Sequence, residues 1–157
     1  MNAVIDLQNA PDDLGIGKKD IEAWAKTALE IAGRKKDAEI TVRLCGREEI
    51  RDLNRTYRHV DRPTNILSFP FDGPQHTEPE LLGDLVICLP VVQEEAREQG
   101  KGLEWHFCHM VVHGCLHLLG HDHENDEEAE EMENLEIEIL AQLGFSNPYA
   151  KIKTEHA

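Results

Sequence analysis

The chain has 157 residues and a formal net charge of −15 at pH 7, with 40% apolar and 30% charged residues. This length accommodates one domain with a sizeable core, and the composition is that of a globular protein rather than a disordered or fibrous one. No apolar stretch approaches the roughly eighteen residues of a membrane span, and the N-terminus does not resemble a secretory signal. We therefore expect one domain over residues 1–157, in the cytoplasm and without a membrane partner.

The first elements alternate between strand and helix. Residues 2–8 are typical of a strand, and residues 18–34 predict a helix that Asp20 can cap and Gly33 can end. Residues 39–45 alternate apolar and polar side chains, the pattern of a half-buried strand.

A second helix is predicted from Arg47 to about Tyr57, with Ile50, Leu53 and Tyr57 facing the core. Arginines recur here every three or four residues and can line one side of the helix as a basic wall: Arg47, Arg51, Arg55, Arg58 and Arg62. Four acidic residues lie among them, so surface solubility explains the stripe as a whole equally well.

Two apolar, β-rich runs follow at residues 65–71 and 83–89, on either side of a loop rich in Gly and Pro. Pro90 suits the first turn of a short helix. Four cysteines lie in apolar runs without any CxxC spacing, and we expect them to be reduced core residues: Cys45, Cys88, Cys108 and Cys115.

Residues 103–119 predict a buried helix, and Asn125 with Glu128 resembles the capping box of a last helix. Ten acids, Glu136 among them, and no Lys or Arg lie between Asp122 and Glu138, and we interpret the acids on the outer side of the last helix as a solvated face. The elements run β-α-β-α-β-β-α-α-α. This order predicts an α/β (α+β mixed) fold in which a small mixed sheet packs with about five helices.

The stretch HGCLHLLGHDH, residues 113–123, predicts a metal site at the end of the buried helix. His113 and His117 are four residues apart, so both imidazoles project from one face of the helix. Gly120 can turn the chain so that His123 becomes a third ligand. Three neutral imidazoles suit Zn²⁺ and leave a fourth position open, as in catalytic sites, although Ni²⁺ and Cu²⁺ are also held well by histidine.

Three further residues of this region are candidate outer-shell groups. His109 lies one turn before His113 and can partner a ligand or be packed in the core. His121 competes with His123 for the third ligand position, and we favour His123. Asp122 can orient a histidine or a water molecule, or be an exposed aspartate.

The spacing His113, His117, Gly120, His123 matches the metzincin protease signature except at one place. Gly114 stands where those proteases carry the glutamate that moves protons between water and the leaving amine. Phosphodiester cleavage needs instead a polarised phosphoryl oxygen or activated nucleophile and positive charge near the phosphorane. Loss of the glutamate therefore favours phosphodiester over peptide chemistry.

Three ordered blocks of the sequence resemble the YbeY family of bacterial rRNA-maturation endoribonucleases. The histidine block matches the family motif H-G-x-L-H-L-x-G-[YH]-D-H, residues 53–71 (LNRTYRHVDRPTNILSFPF) resemble a second block, and LLGDLVIC resembles a third. The final helix and LGFSNPY are also similar to the family.

The resemblance implies a single-strand-specific, metal-dependent endoribonuclease that matures the 3′ end of 16S rRNA and serves ribosome quality control. The family's zinc ligands correspond to His113, His117 and His123, one Zn²⁺ per chain, and its functional arginine corresponds to Arg58. Implied partners are single-stranded rRNA and the ribosome or its small-subunit proteins, with no DNA expected. A guanidinium fork suits phosphate oxygens, which gives Arg58 a physical case of its own.

Two other functions fit parts of the sequence. The first is a ribosome-assembly or binding factor whose metal is structural. The second is a zinc metallohydrolase or protease acting on amide bonds, which Gly114 disfavours. No aromatic RNP pair, GxxG loop or Lys-rich tail is present, so we expect weak intrinsic affinity for RNA and positioning by the ribosome or another protein.

Overall fold

The computed structural model describes residues 1–75, 78–122 and 124–150. Four strands and five helices occur in this part of the chain, in the predicted order. They are β1 (Ala3–Gln8), α1 (Lys18–Ile31), β2 (Ala38–Cys45), α2 (Arg47–Arg58), β3 (Ile66–Pro70), β4 (Glu80–Cys88), α3 (Leu89–Glu98), α4 (Leu103–Leu118) and α5 (Asp126–Gln142).

The strands form one mixed sheet in the order β1-β2-β4-β3. The pairs β1–β2 and β2–β4 are parallel, whereas β3 runs antiparallel to β4. β2 has the predicted alternation, with Ile40, Val42 and Leu44 buried. Because β3 pairs on one side only, its other edge is open to the residues that approach it.

The two faces of the sheet are covered by different helices. Leu85 and Ile87 of β4 point into the main core, which α1, α4 and α5 complete. Val86 and Cys88 point to the opposite face, where Ile50 of α2 covers them. α4 packs against β3 and β4 and against the helices α1, α3 and α5. The sheet and α4 thus form the rigid frame to which the remaining elements attach.

Glycine is required where β3 meets β4. Gly83 has φ +148°, and a Cβ at this position would lie 2.3 Å from the carbonyl oxygen of Phe69. Only a residue without a side chain permits this approach of the strands.

The structure confirms two local predictions, which concern the cap of α5 and the unpaired cysteines. Asn125 caps α5 and accepts a hydrogen bond from the Glu128 backbone N–H at 2.8 Å. The four cysteines are unpaired, and three of them are buried. Within the described ranges, no helix is both long and apolar enough to cross a membrane.

Two local predictions were wrong. The N-cap of α1 is Gly17; Asp20 lies in the first turn and accepts a hydrogen bond from the Gly17 N–H at 2.8 Å. Tyr57 does not face the core but is 63% exposed, because the last turn of α2 reaches the edge of the sheet. Its ring contacts Phe69 edge-on, with 5.2 Å between the ring centroids.

Candidate active site

A polar cleft of about 380 Å³ lies between α4 and the open edge of β3. It is lined by residues from α2, the loop before β3, β3 itself, α4 and the turn after α4: Arg58, Thr64, Asn65, Ile66, Ser68, His113, His117 and Asp122. The fold therefore brings Arg58 together with His113 and His117, although the arginine is more than fifty residues from either histidine in the sequence.

His113 and His117 converge in this cleft. Their Nε2 atoms lie 3.0 Å apart, and the ring centroids are 4.6 Å apart. Two imidazole nitrogens on a tetrahedral zinc ion, each at about 2.0–2.1 Å, would be roughly 3.3 Å apart. The pair thus fits a shared metal ion after a small adjustment.

Two histidines do not complete a metal site. Among residues 1–75, 78–122 and 124–150, no group of three or more His, Cys, Asp or Glu side chains is arranged to hold a metal ion. His123, the predicted third ligand, lies outside the described residues. Asp122 lines the cleft, whereas His121 lines a separate groove beside the turn between α1 and β2.

A carboxylate from α5 supports the histidines from behind. Glu136 is fully buried, and its Oε2 lies 3.2 Å from Nδ1 of His113. Its Oε1 lies 2.5 Å from Nε2 of His109 and accepts a hydrogen bond from the Tyr149 hydroxyl at 2.7 Å. His109 is thus placed as the sequence allowed, behind the cleft rather than in it.

The network keeps Glu136 ionised. Burial acts to raise the pKa of this carboxyl, but the hydrogen bonds and charges of His109 and His113 outweigh it and lower the pKa to about 2. For Tyr149, burial is the largest cause that raises the pKa of the hydroxyl, followed by its bond to Glu136. The phenol therefore remains a donor and Glu136 an acceptor at neutral pH.

Sequence reasoning missed both Glu136 and Tyr149. Glu136 does not belong to the solvated face of α5, because it shares the inner side of the helix with Met132, Ile139 and Leu140. The signal was available, since Glu136 is four residues after Met132 and three before Ile139. Tyr149 carries no comparable pattern.

A second network orients Asn65 at the cleft. The Asn65 Nδ2 donates to the carboxylate of Glu95 at 3.1 Å, and Nε2 of His106 lies 2.9 Å from the same carboxylate. Burial, partly offset by Glu95, lowers the pKa of His106. With its amide nitrogen held from α3, Asn65 lines the cleft in a fixed orientation, another feature that the sequence did not indicate.

The arginines of α2 separate into two groups. Arg47, Arg51 and Arg55 each form an ion pair, with Glu94, Asp61 and Asp52. These three line a groove outside the cleft, together with Arg62. The predicted basic wall is therefore wrong for these residues. Arg58 alone of the five lines the cleft, and no carboxylate of the described residues pairs with it.

Gly114 faces the sheet rather than the cleft. A Cβ at this position would lie 2.7 Å from Leu85 Cδ2 and 2.9 Å from Ile66 Cδ1. α4 therefore approaches the sheet too closely for a larger residue here. A glutamate at position 114, as in the metzincin signature, would have to displace the side chains of Leu85 and Ile66 from the core.

The chain is similar to named proteins over almost its whole length. The family model Endoribonuclease YbeY matches residues 6–144. Endoribonuclease YbeY of Pseudomonas entomophila (strain L48) is 54% identical over 152 residues, which is 96% of each chain. Endoribonuclease YbeY of Pseudomonas putida (strain W619) is 54% identical over 147 residues, or 93% of this chain and 92% of the relative.

A solved structure also matches. The solution structure of TM1509 from Thermotoga maritima is 28% identical in sequence and superposes with a TM-score of 0.56. The match covers 94% of this chain and 99% of that one.

Proposed function

The chain belongs to the YbeY endoribonuclease family, and on that basis we propose that it is a zinc-dependent endoribonuclease that cleaves single-stranded rRNA in the cleft of Arg58, His113 and His117. The observation that carries this proposal is the meeting of Arg58 with two converging imidazoles in one polar cleft. We propose maturation of the 16S rRNA 3′ end and ribosome quality control, in the cytoplasm, as its role.

The two histidines, with His123 as the proposed third ligand, would hold one Zn²⁺. When bound, zinc supplies a Lewis acid that polarises a phosphoryl oxygen or lowers the pKa of a water molecule. His113 and His117 each present Nε2 to the same point at the end of α4. Asp122 lies in the cleft as a candidate to orient the nucleophile.

Arg58 would bind the phosphate. Its guanidinium carries a positive charge and presents five donors in a planar fork, so it can stabilise the charge that develops on the phosphorane oxygens. The arginine is not neutralised by a carboxylate of the described residues, unlike its neighbours on α2. Arg58 is thus in a position to bind a phosphate group of the RNA.

An exposed aromatic ring next to Arg58 supports a preference for single strands. Tyr57 is 63% exposed and is supported by Phe69. Unpaired bases stack on such rings at about 1–3 kcal/mol per base, whereas the bases of a duplex are not available. Tyr57→Ala should therefore raise KM for a single-stranded RNA while Tyr57→Phe retains it.

Amide hydrolysis is disfavoured by Gly114. The position that would carry the proton-transferring glutamate is occupied by the packing of α4 on Leu85 and Ile66. With the proposed metal bound, the site would therefore combine the ligands of a metallohydrolase with an arginine, and it would lack the general acid that a leaving amine requires.

The molecule has few other means of holding RNA. Three of the four arginines in the groove outside α2 form ion pairs with carboxylates. The net charge of the whole chain is −15, which disfavours binding of a polyanion. We propose that the ribosome or a small-subunit protein positions the substrate, so the isolated protein should bind RNA weakly. Nanomolar, sequence-specific binding by the protein alone would contradict this.

The test uses an rRNA 3′-end fragment, offered single-stranded and annealed to its complement, with a peptide mixture as a third substrate. We expect cleavage of the single strand only. End-group analysis identifies the nucleophile: a cyclic 2′,3′-phosphate means attack by the RNA 2′-OH, and its absence means attack by water. Peptide cleavage without RNA cleavage would establish an amide hydrolase. Normal rRNA maturation in cells with a folded His117→Ala protein would favour an assembly factor.

A further inference from the structure

We propose that Glu136 is a positioning residue that fixes the tautomer of His113, so that the Nε2 lone pair of His113 faces the cleft for a divalent cation. Tyr149 and His109 hold the other oxygen of Glu136 and keep the carboxylate in place. This inference rests on the proposed metal site, although its central test needs neither metal nor RNA.

A carboxylate is costly to place at position 136. Glu136 is fully buried on α5 and shares the inner side of that helix with apolar residues. Burying a charge is strongly unfavourable unless hydrogen bonds and opposite charges compensate for the lost water. A carboxylate is thus a poor choice for packing alone, and its partners indicate what it does.

The hydrogen bonds of Glu136 can run in one direction only. An ionised carboxylate only accepts, so each of its partners must donate. Nδ1 of His113, 3.2 Å from Oε2, must therefore carry a proton. In the neutral ring this leaves Nε2 with a lone pair, and Nε2 is the atom that lies 3.0 Å from Nε2 of His117.

Two donors hold the Oε1 atom of Glu136. The Tyr149 hydroxyl donates at 2.7 Å, and Nε2 of His109 lies at 2.5 Å. The buried Nδ1 of His109 has no hydrogen-bond partner among the described residues, so the proton of this ring belongs on Nε2, where it is donated to Glu136. With Oε1 held from two sides, the carboxylate cannot rotate away from His113.

Tyr149 gives the C-terminal segment a part in the site. The segment leaves α5 at Gly144, and the Tyr149 ring packs perpendicular to His109 with 5.6 Å between the centroids. The order of this segment thus contributes to holding Glu136, and through it His113.

The first experiment is to measure the tautomer of His113 in metal-free, full-length protein by two-bond ¹H–¹⁵N correlation. The His113 signals are assigned by their absence from His113→Ala. We expect the proton on Nδ1. A proton on Nε2 in the metal-free wild-type protein would overturn the proposal without the use of any Glu136 variant.

Glu136→Gln provides the second experiment. The glutamine amide has the shape of the carboxylate, but an NH₂ group, which donates hydrogen bonds, replaces one of the two accepting oxygens. Since two donors face the Oε1 position, the amide oxygen should remain there and the NH₂ should face Nδ1 of His113. The tautomer should then invert, and Zn²⁺ affinity, measured by competition with a chromophoric chelator, should fall about 10–100-fold, the usual cost of losing an outer-shell partner.

Two control variants complete the design. Glu138→Gln removes an exposed carboxylate from the same helix and should leave the tautomer and Zn²⁺ affinity unchanged. Tyr149→Phe removes one donor to Oε1 of Glu136 but leaves the contact between Oε2 of Glu136 and His113 in place. This variant should therefore retain the His113 tautomer and lower Zn²⁺ affinity less than Glu136→Gln does. If Glu136→Gln folds, keeps the wild-type tautomer and binds Zn²⁺ with wild-type affinity, the proposal is wrong.

The outcomes separate this proposal from the nuclease activity. If Glu136→Gln weakens Zn²⁺ binding and inverts the tautomer but zinc-loaded wild-type protein leaves RNA intact, the positioning role stands and the proposed function fails. If RNA is cleaved equally by wild-type and Glu136→Gln proteins with equal Zn²⁺ affinity, the reverse holds.

Discussion

The groove outside α2 and the polar cleft both present arginine, and they differ in what faces that charge. The groove outside α2 has a volume of about 610 Å³ and four arginines, more than the 380 Å³ cleft with its single arginine. In the groove, however, Arg47, Arg51 and Arg55 are paired with carboxylates on the surface. In the cleft, the polar groups come from five separate segments and converge.

The difference also concerns burial. The cleft is supported by a fully buried carboxylate, whose placement is costly and therefore informative. The ion pairs of the groove are exposed and contribute little to stability. The groove is thus the larger surface and has more arginines. The cleft, in contrast, has converging polar groups and a buried carboxylate behind them, and these two features make it the candidate active site. Four predictions test this account, from the largest expected effect to the smallest.

His117→Ala should have the largest effect, because it removes one of two imidazoles that meet at the cleft. We expect Zn²⁺ affinity and RNA cleavage each to fall by more than the roughly 10–100-fold that an outer-shell loss costs. His121→Ala is the control, since His121 lies in the separate groove beside α1 and β2. Equal losses in His117→Ala and His121→Ala would mean that the cleft is not the functional site that sets it apart from the groove lined by His121.

Gly114→Glu tests the opposite side of α4. The new side chain would meet Leu85 and Ile66 and place a carboxylate in an apolar environment. Overpacking costs about 1–3 kcal/mol and an unpaired buried polar group about 1–3 kcal/mol more. Urea denaturation should show a loss of several kcal/mol and no gain of peptidase activity, with a smaller loss for Gly114→Ala. Wild-type stability of Gly114→Glu would contradict the packing account.

Arg58→Ala and Arg55→Ala compare the two groups of arginines directly. Removal of one donor to developing negative charge typically lowers kcat about 100-fold, and we expect this for Arg58→Ala with Zn²⁺ affinity retained. Arg55 is paired with Asp52 outside the cleft, so its removal should change kcat less than about threefold. Similar kcat values for the two variants would remove the distinction between them.

The Arg51–Asp61 pair should show the smallest effect. The hydrogen bond from Arg51 lowers the pKa of Asp61, so any stabilisation is present above the ordinary pKa of an aspartate and is lost as the pH falls through the lowered value. Because both groups are exposed, a double-mutant cycle should find no coupling outside experimental error at 0.5 M salt. A salt-resistant coupling would show that the groove is more than a solvated surface.

Sequence reasoning recovered the parts of this structure that depend on local pattern. The alternation in β2, the capping of α5 by Asn125 and the convergence of His113 with His117 all follow from spacing within one element. The order of the strands could not be derived, because it depends on pairing between distant segments.

The features that were missed depend on tertiary contacts. Tyr57 has the spacing of a core residue, but it lies at the end of α2, where its ring packs on Phe69 of the edge strand β3 and stays largely exposed. Glu136 has a charged side chain at a core position of α5, and only its partners His109 and His113 on another helix explain it. Pairing of the arginines likewise depends on carboxylates such as Glu94, from α3. Polar residues at positions of apolar periodicity are where such pattern reasoning should look for function.

The most direct test of the account is one titration in which Zn²⁺ is added to metal-free protein while bound metal and cleavage of the single-stranded rRNA fragment are measured in the same samples. Cleavage should be absent at the start, rise in proportion to bound metal and reach its maximum at one Zn²⁺ per chain. Full cleavage by the metal-free protein, or one bound Zn²⁺ per chain without any cleavage, would contradict the assignment of this cleft as a zinc-dependent nuclease site.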